Sequence, residues 1–366
     1  MRNRAYIYDR GSQASGLVGE VQFPIQVEWG RERDDTSEAR VVAAANRCSE
    51  LVSRQHVGRY EMVVERDGVR QWEGPITYLN TQGGRTEIKA KDISWYLNRT
   101  ALTRKWDNSG KGKAVFVVDR IRAIIEYECQ RKQQLGYRIT DGMIVVESPD
   151  GARTARVTLP YEKYVFEELD DLAWRNGIDY TVVRRNLILN DTHDPLGEFR
   201  SMTQQDFDGD VGITTYGVEL ATRSIVTDGE GRAGIYEGKT GNGEHPYYGE
   251  VVLLHTEYNE GKDEDDVTPI SELLSQAQRN YAGRDTPVTS LRVPENSRLS
   301  TSAAEELMPS LIPGMNTRVL YDHPNQGTIS EMMRLNSMKV AETADGEDVT
   351  VALSSATAAE PIIEEE

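Results

Sequence analysis

The tripeptide Gly238-Lys239-Thr240 is the stretch of this chain nearest to a nucleotide-binding signature. A phosphate-binding loop has a glycine five residues earlier, so that backbone amides can wrap the phosphates, and a helix after it. Here the earlier position is Ala233, and Gly241, Gly243 and Pro246 follow where the helix should begin. Asp206-Phe207-Asp208-Gly209-Asp210 alternates carboxylates as a calcium loop does at its start. Its sixth position, where the loop must turn sharply, is Val211, and its twelfth, which should supply a bidentate glutamate, is Gly217. A solvated turn is therefore expected, and only a calcium site of another type stays open.

The remaining chemistry-bearing residues are scattered. His56, His193, His245, His255 and His323 include no i, i+4 pair and no His-x-His, the spacings that hold zinc. No Gly-x-Ser-x-Gly elbow is present, and neither Cys48 nor Cys129 lies in the setting of a nucleophile. Glu167, Glu168, Asp170 and Asp171 are expected on the solvated side of a helix. Trp29, Trp72, Trp95, Trp106 and Trp174 could form a carbohydrate platform, but they sit in apolar patterns and are expected to pack in cores or interfaces. No catalytic, cofactor-binding or metal-binding residue is assigned, and no cofactor is expected.

The bulk numbers narrow the partners. The chain has 366 residues, 42 basic and 60 acidic, for a net charge of −18. Such a surface repels phosphate backbones, so specific nucleic-acid binding is not expected. The basic pairs Arg2/Arg4, Arg31/Arg33, Arg131/Lys132 and Arg184/Arg185 are short and scattered, and are expected to be solvated. Two distant cysteines fit folding in a reducing cytosol rather than a disulfide framework. Met1 leads into charged residues instead of an apolar signal region, and no apolar run is long enough to span a bilayer.

The elements that would position these residues are mostly strands. Tyr60–Arg66 and Val69–Leu79 alternate around Asp67-Gly68, a strong hairpin signal, because a type I′ turn needs positive φ at both central residues. A strand over Thr86–Ala90 and a helical turn over Asp92–Leu97 follow. Tyr6–Tyr8 and Glu20–Trp29 also alternate, with Pro24 breaking the second or confining it to an edge. Arg31–Glu38 reads as a charged loop, and Ser37–Val42 and Cys48–Val52 as further short strands.

Lys105–Gly112 reads as a linker. Helices are expected over Ala114–Gln134, stopped by Gly136, and over Lys163–Asn176, stopped by Gly177. Strands are expected at Met143–Val146, Asp179–Val183 and Asn186–Asn190, giving a compact α+β unit. Beyond it, Leu220–Val226 is a strand, and Gly229–Gly249, with seven glycines, a long exposed loop. Thr268 and Pro269 start a helix over Ile270–Tyr281, after the acidic run Asp263–Asp266. Pro287–Pro313 reads as an extended arm with a helical turn near Ala303–Met308. A closing hairpin joins Leu335–Thr343 to Glu347–Leu353 across Asp345-Gly346, and a frayed acidic tail follows.

Several segments, taken in order, resemble one family. They are Trp72-Glu-Gly-Pro-Ile76, Ile88–Leu97, Val165–Ala173 leading into Gly177–Val182, Val218–Arg223, and Leu311-Ile-Pro-Gly-Met315 before the closing hairpin. The chain in this respect resembles the tail-tip or baseplate hub proteins of long-tailed bacteriophages, a minor tail protein family, over most of residues 1–355. The resemblance implies an α+β fold, mainly β. It would have two barrel-like antiparallel β domains, an inserted α+β domain and a small fourth domain. The implied division is 1–105 for the first hub domain, 106–195 for the α+β insert, and 196–262 with 310–355 for the second hub domain. Residues 263–309 would form a small helical and extended insert, and 356–366 a flexible tail.

The resemblance also implies a homotrimer whose six β domains match a sixfold tail tube. It would sit in the virion at the tail tip, beside a distal tail protein ring, the tape-measure protein and other tail-tip proteins. Relatives that carry a fibre, peptidase or glycosidase do so in further sequence, and no built-in lysin is expected here. Two competing readings are a tail-associated cell-wall hydrolase, and a carbohydrate-binding receptor module using Tyr236, Tyr247 and Tyr248.

Overall fold

The computed structural model describes residues 2–11, 14–48, 51–108, 113–134, 144–147, 153–191, 197–209, 211–216, 220–229, 231–238, 249–256, 270–281, 288–294, 296–323 and 327–356. The chain divides into two compact units. The first comprises Met1–Gly209, Pro294–Thr317 and Arg334–Leu353, and the second Asp210–Val293, Arg318–Met333 and Ser354–Glu366.

The first unit opens with seven strands: β1 (Asn3–Gly11), β2 (Ala14–Glu20), β3 (Gln26–Glu32), β4 (Glu38–Ala44), β5 (Tyr60–Arg66), β6 (Val69–Gln82) and β7 (Arg85–Lys91). They lie in the order β3-β4-β7-β6-β5-β1-β2, every pair antiparallel. The Asp67-Gly68 turn has φ of 51° and 77°, the left-handed pair that a two-residue hairpin requires. Pro24 does break its run in two, since β2 ends at Glu20 and β3 begins at Gln26. The strand Gly327–Thr343 then adds to β3 through Ser337–Glu342, with Val340 opposite Trp29.

This sheet curls. Four strands separate β1 from β3 in the ladder, yet the indole nitrogen of Trp29 donates to Asn3 Oδ1 at 2.9 Å. Asn3 donates in turn to Glu342 and Glu347, and Arg66 pairs with Glu347 at 2.7 Å. Side chains, rather than a ladder, thus join β1 to the closing hairpin. Ile7, Val27, Trp29, Val41, Met62, Trp72 and Ile88 fill the interior, all 2% exposed or less.

The α+β part of the same unit builds its own core. Helices Val117–Gln134 and Val165–Asn176 pack with the hairpin Ile178–Val183/Asn186–Asp191 around Ile121, Ile125, Leu169, Leu172, Tyr180 and Leu187. Gly177 stops the second helix in the left-handed region, as its position suggested. Ile144–Glu147 runs parallel to Asn186–Asp191.

Several expectations about local structure need correction, among them the long loop over Gly229–Gly249, in which Ala233–Glu237 is a strand paired with Arg223–Thr227. Arg31 and Glu32 belong to β3 rather than to a loop, because the ladder to Ser337–Glu342 extends through them. Cys48–Val52 is not a strand: Cys48 closes a short helix from Ala45, and its carbonyl accepts the amides of Leu51 and Val52. Within Lys105–Gly112, Trp106 and Asp107 form a strand against Val157–Thr158; residues 109–112 lie outside the described residues.

In the second unit, Arg223–Thr227 lies between Ala233–Glu237, antiparallel, and Val252–Thr256, parallel. The helix Ile270–Tyr281 covers one face through Val226, Leu273, Ala277 and Tyr236. Gly234 permits this contact, since a Cβ there would stand 2.2 Å from the Leu273 carbonyl carbon. Gly212–Tyr216 pairs with Val288–Arg292, inside the stretch read as an extended arm. Gly136, Met143, His193, Lys239–Tyr248, the acidic run, Thr268, Pro269 and residues 357–366 lie outside the described residues.

Candidate functional site

The sequence candidates do not converge on one cleft. In the Asp206–Asp210 segment, Asp206 accepts from the amide and hydroxyl of Thr203 and from Arg200. Burial pushes its carboxyl up, but the Arg200 and Thr203 hydrogen bonds outweigh this and leave it below the usual range. Asp208 instead pairs with Arg298 at 3.2 Å, and Asp210 lies outside the described residues. The first two carboxylates are each held by arginine, an arrangement for fixing a turn. Among the described residues no three of His, Cys, Asp and Glu group as metal ligands. His56 accepts from the amide of Ser53 and stacks on Tyr60, while His255 lies in the strand Val252–Thr256.

The acidic helix departs most from expectation. Glu168 is fully buried, accepts from Thr158 at 2.5 Å, and pairs with Arg120 at 3.0 Å and Lys163 at 3.3 Å. Asp170 accepts from the hydroxyl of Tyr180, and Asp171 from Arg156 and Lys163. Glu167 closes the helix start on the amide of Tyr164. The solvated-face reading holds for Glu167 and Asp170, which are exposed, and fails at Glu168, which stands three residues after Val165 and four before Leu172, on the core-facing stripe. That spacing was the available signal; nothing local marked Arg120 as its partner.

The basic pairs are likewise partly structural. Arg31 is buried, lies over the Trp29 ring, and donates to the Leu311 carbonyl and Gln71. Burial lowers its pKa to about 10. Arg185 pairs with Glu61 at 2.7 Å and Glu73 at 3.6 Å, and Tyr96 donates to the same Glu61. These contacts fasten the α+β part to β5 and β6.

A second fastening centres on Asp34, which has a left-handed φ of 58°. Its amide donates to the Tyr180 carbonyl, and its carboxylate accepts the Tyr180 amide at 2.7 Å. The Tyr180 hydroxyl returns to the Asp34 carbonyl, and Thr181 donates to the Glu32 carbonyl. Asp179 lies between Arg33 and Arg334, at 3.6 and 3.1 Å. Burial, reinforced by Asp179, pushes the Asp34 carboxyl up to about 7. Burial and then Asp35 do the same to Glu32.

The outer face of β3, β4 and β7 forms an open groove of about 480 Å³. Several of its charges pair with one another: Arg40 with Glu28 and Glu87, Lys91 with Glu38, and Lys339 with Glu28, while Glu32 and Asp35 line it as neighbouring carboxyls. Paired charges of this kind suit a sheet face that meets water. Of the tryptophans, Trp29, Trp72 and Trp106 are buried and Trp95 packs against the α+β core; Trp174 alone among the five is widely exposed.

Among the described residues, β2 and Val252–Thr256 are two of the strands that end their sheets. β2 ends the ladder at one side, with Leu17 and Val18 exposed and Phe23 and Ile25 following. Val252–Thr256 ends the three-stranded sheet of the second unit, with Val252 and Leu254 exposed.

No family model matches the sequence, and no curated protein matches it. Solved structures do. The 43 kDa tail protein of prophage MuSo2 from Shewanella oneidensis aligns with a TM-score of 0.57 at 11% identity, covering 97% of this chain and 99% of that one. A tail protein from Neisseria meningitidis MC58 gives 0.58 at 12% identity, covering 96% of both chains. Prophage tail protein gp18 of Listeria monocytogenes EGD-e gives 0.57 at 11% identity, covering 95% of this chain and 94% of that one. The chain has the mainly β fold of phage tail proteins.

Proposed function

We propose that this chain is a structural virion protein, the hub at the distal end of a long bacteriophage tail. Three copies form a collar that adapts the sixfold tail tube to threefold tip components and helps to line the DNA exit channel. The observation that carries this reading is the likeness to the Shewanella prophage tail protein along 97% of this chain and 99% of that one. Likeness over both full lengths favours the same architectural task, not a borrowed domain. The tight internal pairing of Asp206, Glu168 and Arg185 agrees with it, since these charges are committed to holding the fold.

In this reading the division at 105, 195, 262 and 309 marks two hub domains and two insertions. The neighbours are a distal tail protein ring and the tape-measure protein. The protein acts by contact geometry rather than as an enzyme. Negative-stain imaging of the purified chain tests the proposal, with threefold rings about a central opening as the expected class averages. Clearing of bacterial cell-wall suspensions by the purified chain would favour the hydrolase reading instead.

A further inference from the structure

Among the described residues β2 is the last strand of its ladder, and its charge, Glu20, stands at its end beside Arg4. A free strand edge presents unpaired amides and carbonyls, and soluble proteins blunt it with charge, proline or a cover. Residues 14–19 carry no charge and no proline. The register against β1 slips between Ile7 and Tyr8, which leaves Val18 as the extra residue, 37% exposed beside Leu17 at 57%. Just beyond the strand stand Phe23, 76% exposed at a left-handed φ of 54°, and Ile25 at 41%.

The second unit carries an edge of matching character. Val252–Thr256 has a neighbour on one side among the described residues, Arg223–Thr227. It bears no formal charge at neutral pH, with Val252 44% and Leu254 65% exposed. Most of a surface with a net charge of −18 repels a second copy of itself. The uncharged run 14–19 of β2 and the uncharged strand Val252–Thr256 are where copies can approach without bringing carboxylates together.

We propose that β2 of one copy pairs with Val252–Thr256 of a second copy. The hydrogen bonds are those of strand addition, and Leu17, Val18 and Phe23 lie over Val252 and Leu254. The two edges differ, so the contact is head-to-tail, and a head-to-tail contact that closes makes a ring. This rests on the trimeric reading above and names its seam.

The test combines mass and cross-linking. Leu17→Lys and Leu254→Lys place a charge in the seam on exposed positions, and each is expected to reduce a trimeric mass to that of one chain. Val69→Lys, at another exposed apolar position of the first unit, is expected to keep it. Leu17→Cys mixed with Leu254→Cys is expected to give a disulfide-linked dimer under mild oxidation that neither variant gives alone. A wild-type trimer whose mass survives both lysine variants, with no mixed cross-link, overturns the seam and leaves the trimeric reading standing. A wild-type chain that stays single at high concentration removes both.

Discussion

Arg120 and Glu168 meet at 3.0 Å inside the α+β part, their side chains 1% and 0% exposed. Two charges withdrawn this far from water hold each other in place, and each makes the loss of the other expensive. Arg120→Met should therefore cost about 3–5 kcal/mol, because Glu168 stays buried with only Lys163 and Thr158 to meet it. The double variant Arg120→Met/Glu168→Met should recover most of that loss. Urea unfolding of the single and double variants measures the difference.

The Asp34 fastening gives a pH dependence of defined sign. A carboxyl with an ordinary pKa in the unfolded chain, raised to about 7 in the fold, binds its proton more tightly when folded. Its contribution is fully present below the unfolded value and is lost as pH rises through about 7. Glu32 acts in the same direction, and Asp171, Asp206 and Glu347, all lowered, act in the opposite one. The comparison must therefore be by variant. Asp34→Asn should be closer to wild type at pH 5 than at pH 8, and at pH 8 the more stable of the two. Thermal melts across that range check it.

Gly234→Ala tests how closely the helix Ile270–Tyr281 sits on its sheet. With 2.2 Å between the new Cβ and the Leu273 backbone, helix or strand must move. A loss of about 1–3 kcal/mol is expected, the usual cost of overpacking. Hydrogen exchange should report it as faster exchange at Ser224–Val226, with β5 and β6 unchanged.

The strands and helices were legible where a local rule governs them. Asp67-Gly68, Pro24 and Gly177 act on their own neighbours, so the hairpin, the break and the stop could be read in place. The charged residues were not, because their partners are remote in sequence: Arg31 with Leu311, Arg185 with Glu61, Asp34 with Tyr180, Asn3 with Glu342. A lone arginine in sequence looks solvated, and only the fold reveals what it meets. Glu168 is the instructive middle case, since its helical spacing placed it on the core face while its charge argued for water. The addition of Ser337–Glu342 to β3 was equally out of reach, because pairing between the two ends of a chain leaves no local mark.

The central claim is that three copies of this chain close into one collar, and the molar mass in solution tests it most directly. Light scattering over a wide concentration range should give three times the 41.1 kDa of the chain. A mass of 41.1 kDa that persists at the highest concentration would contradict it.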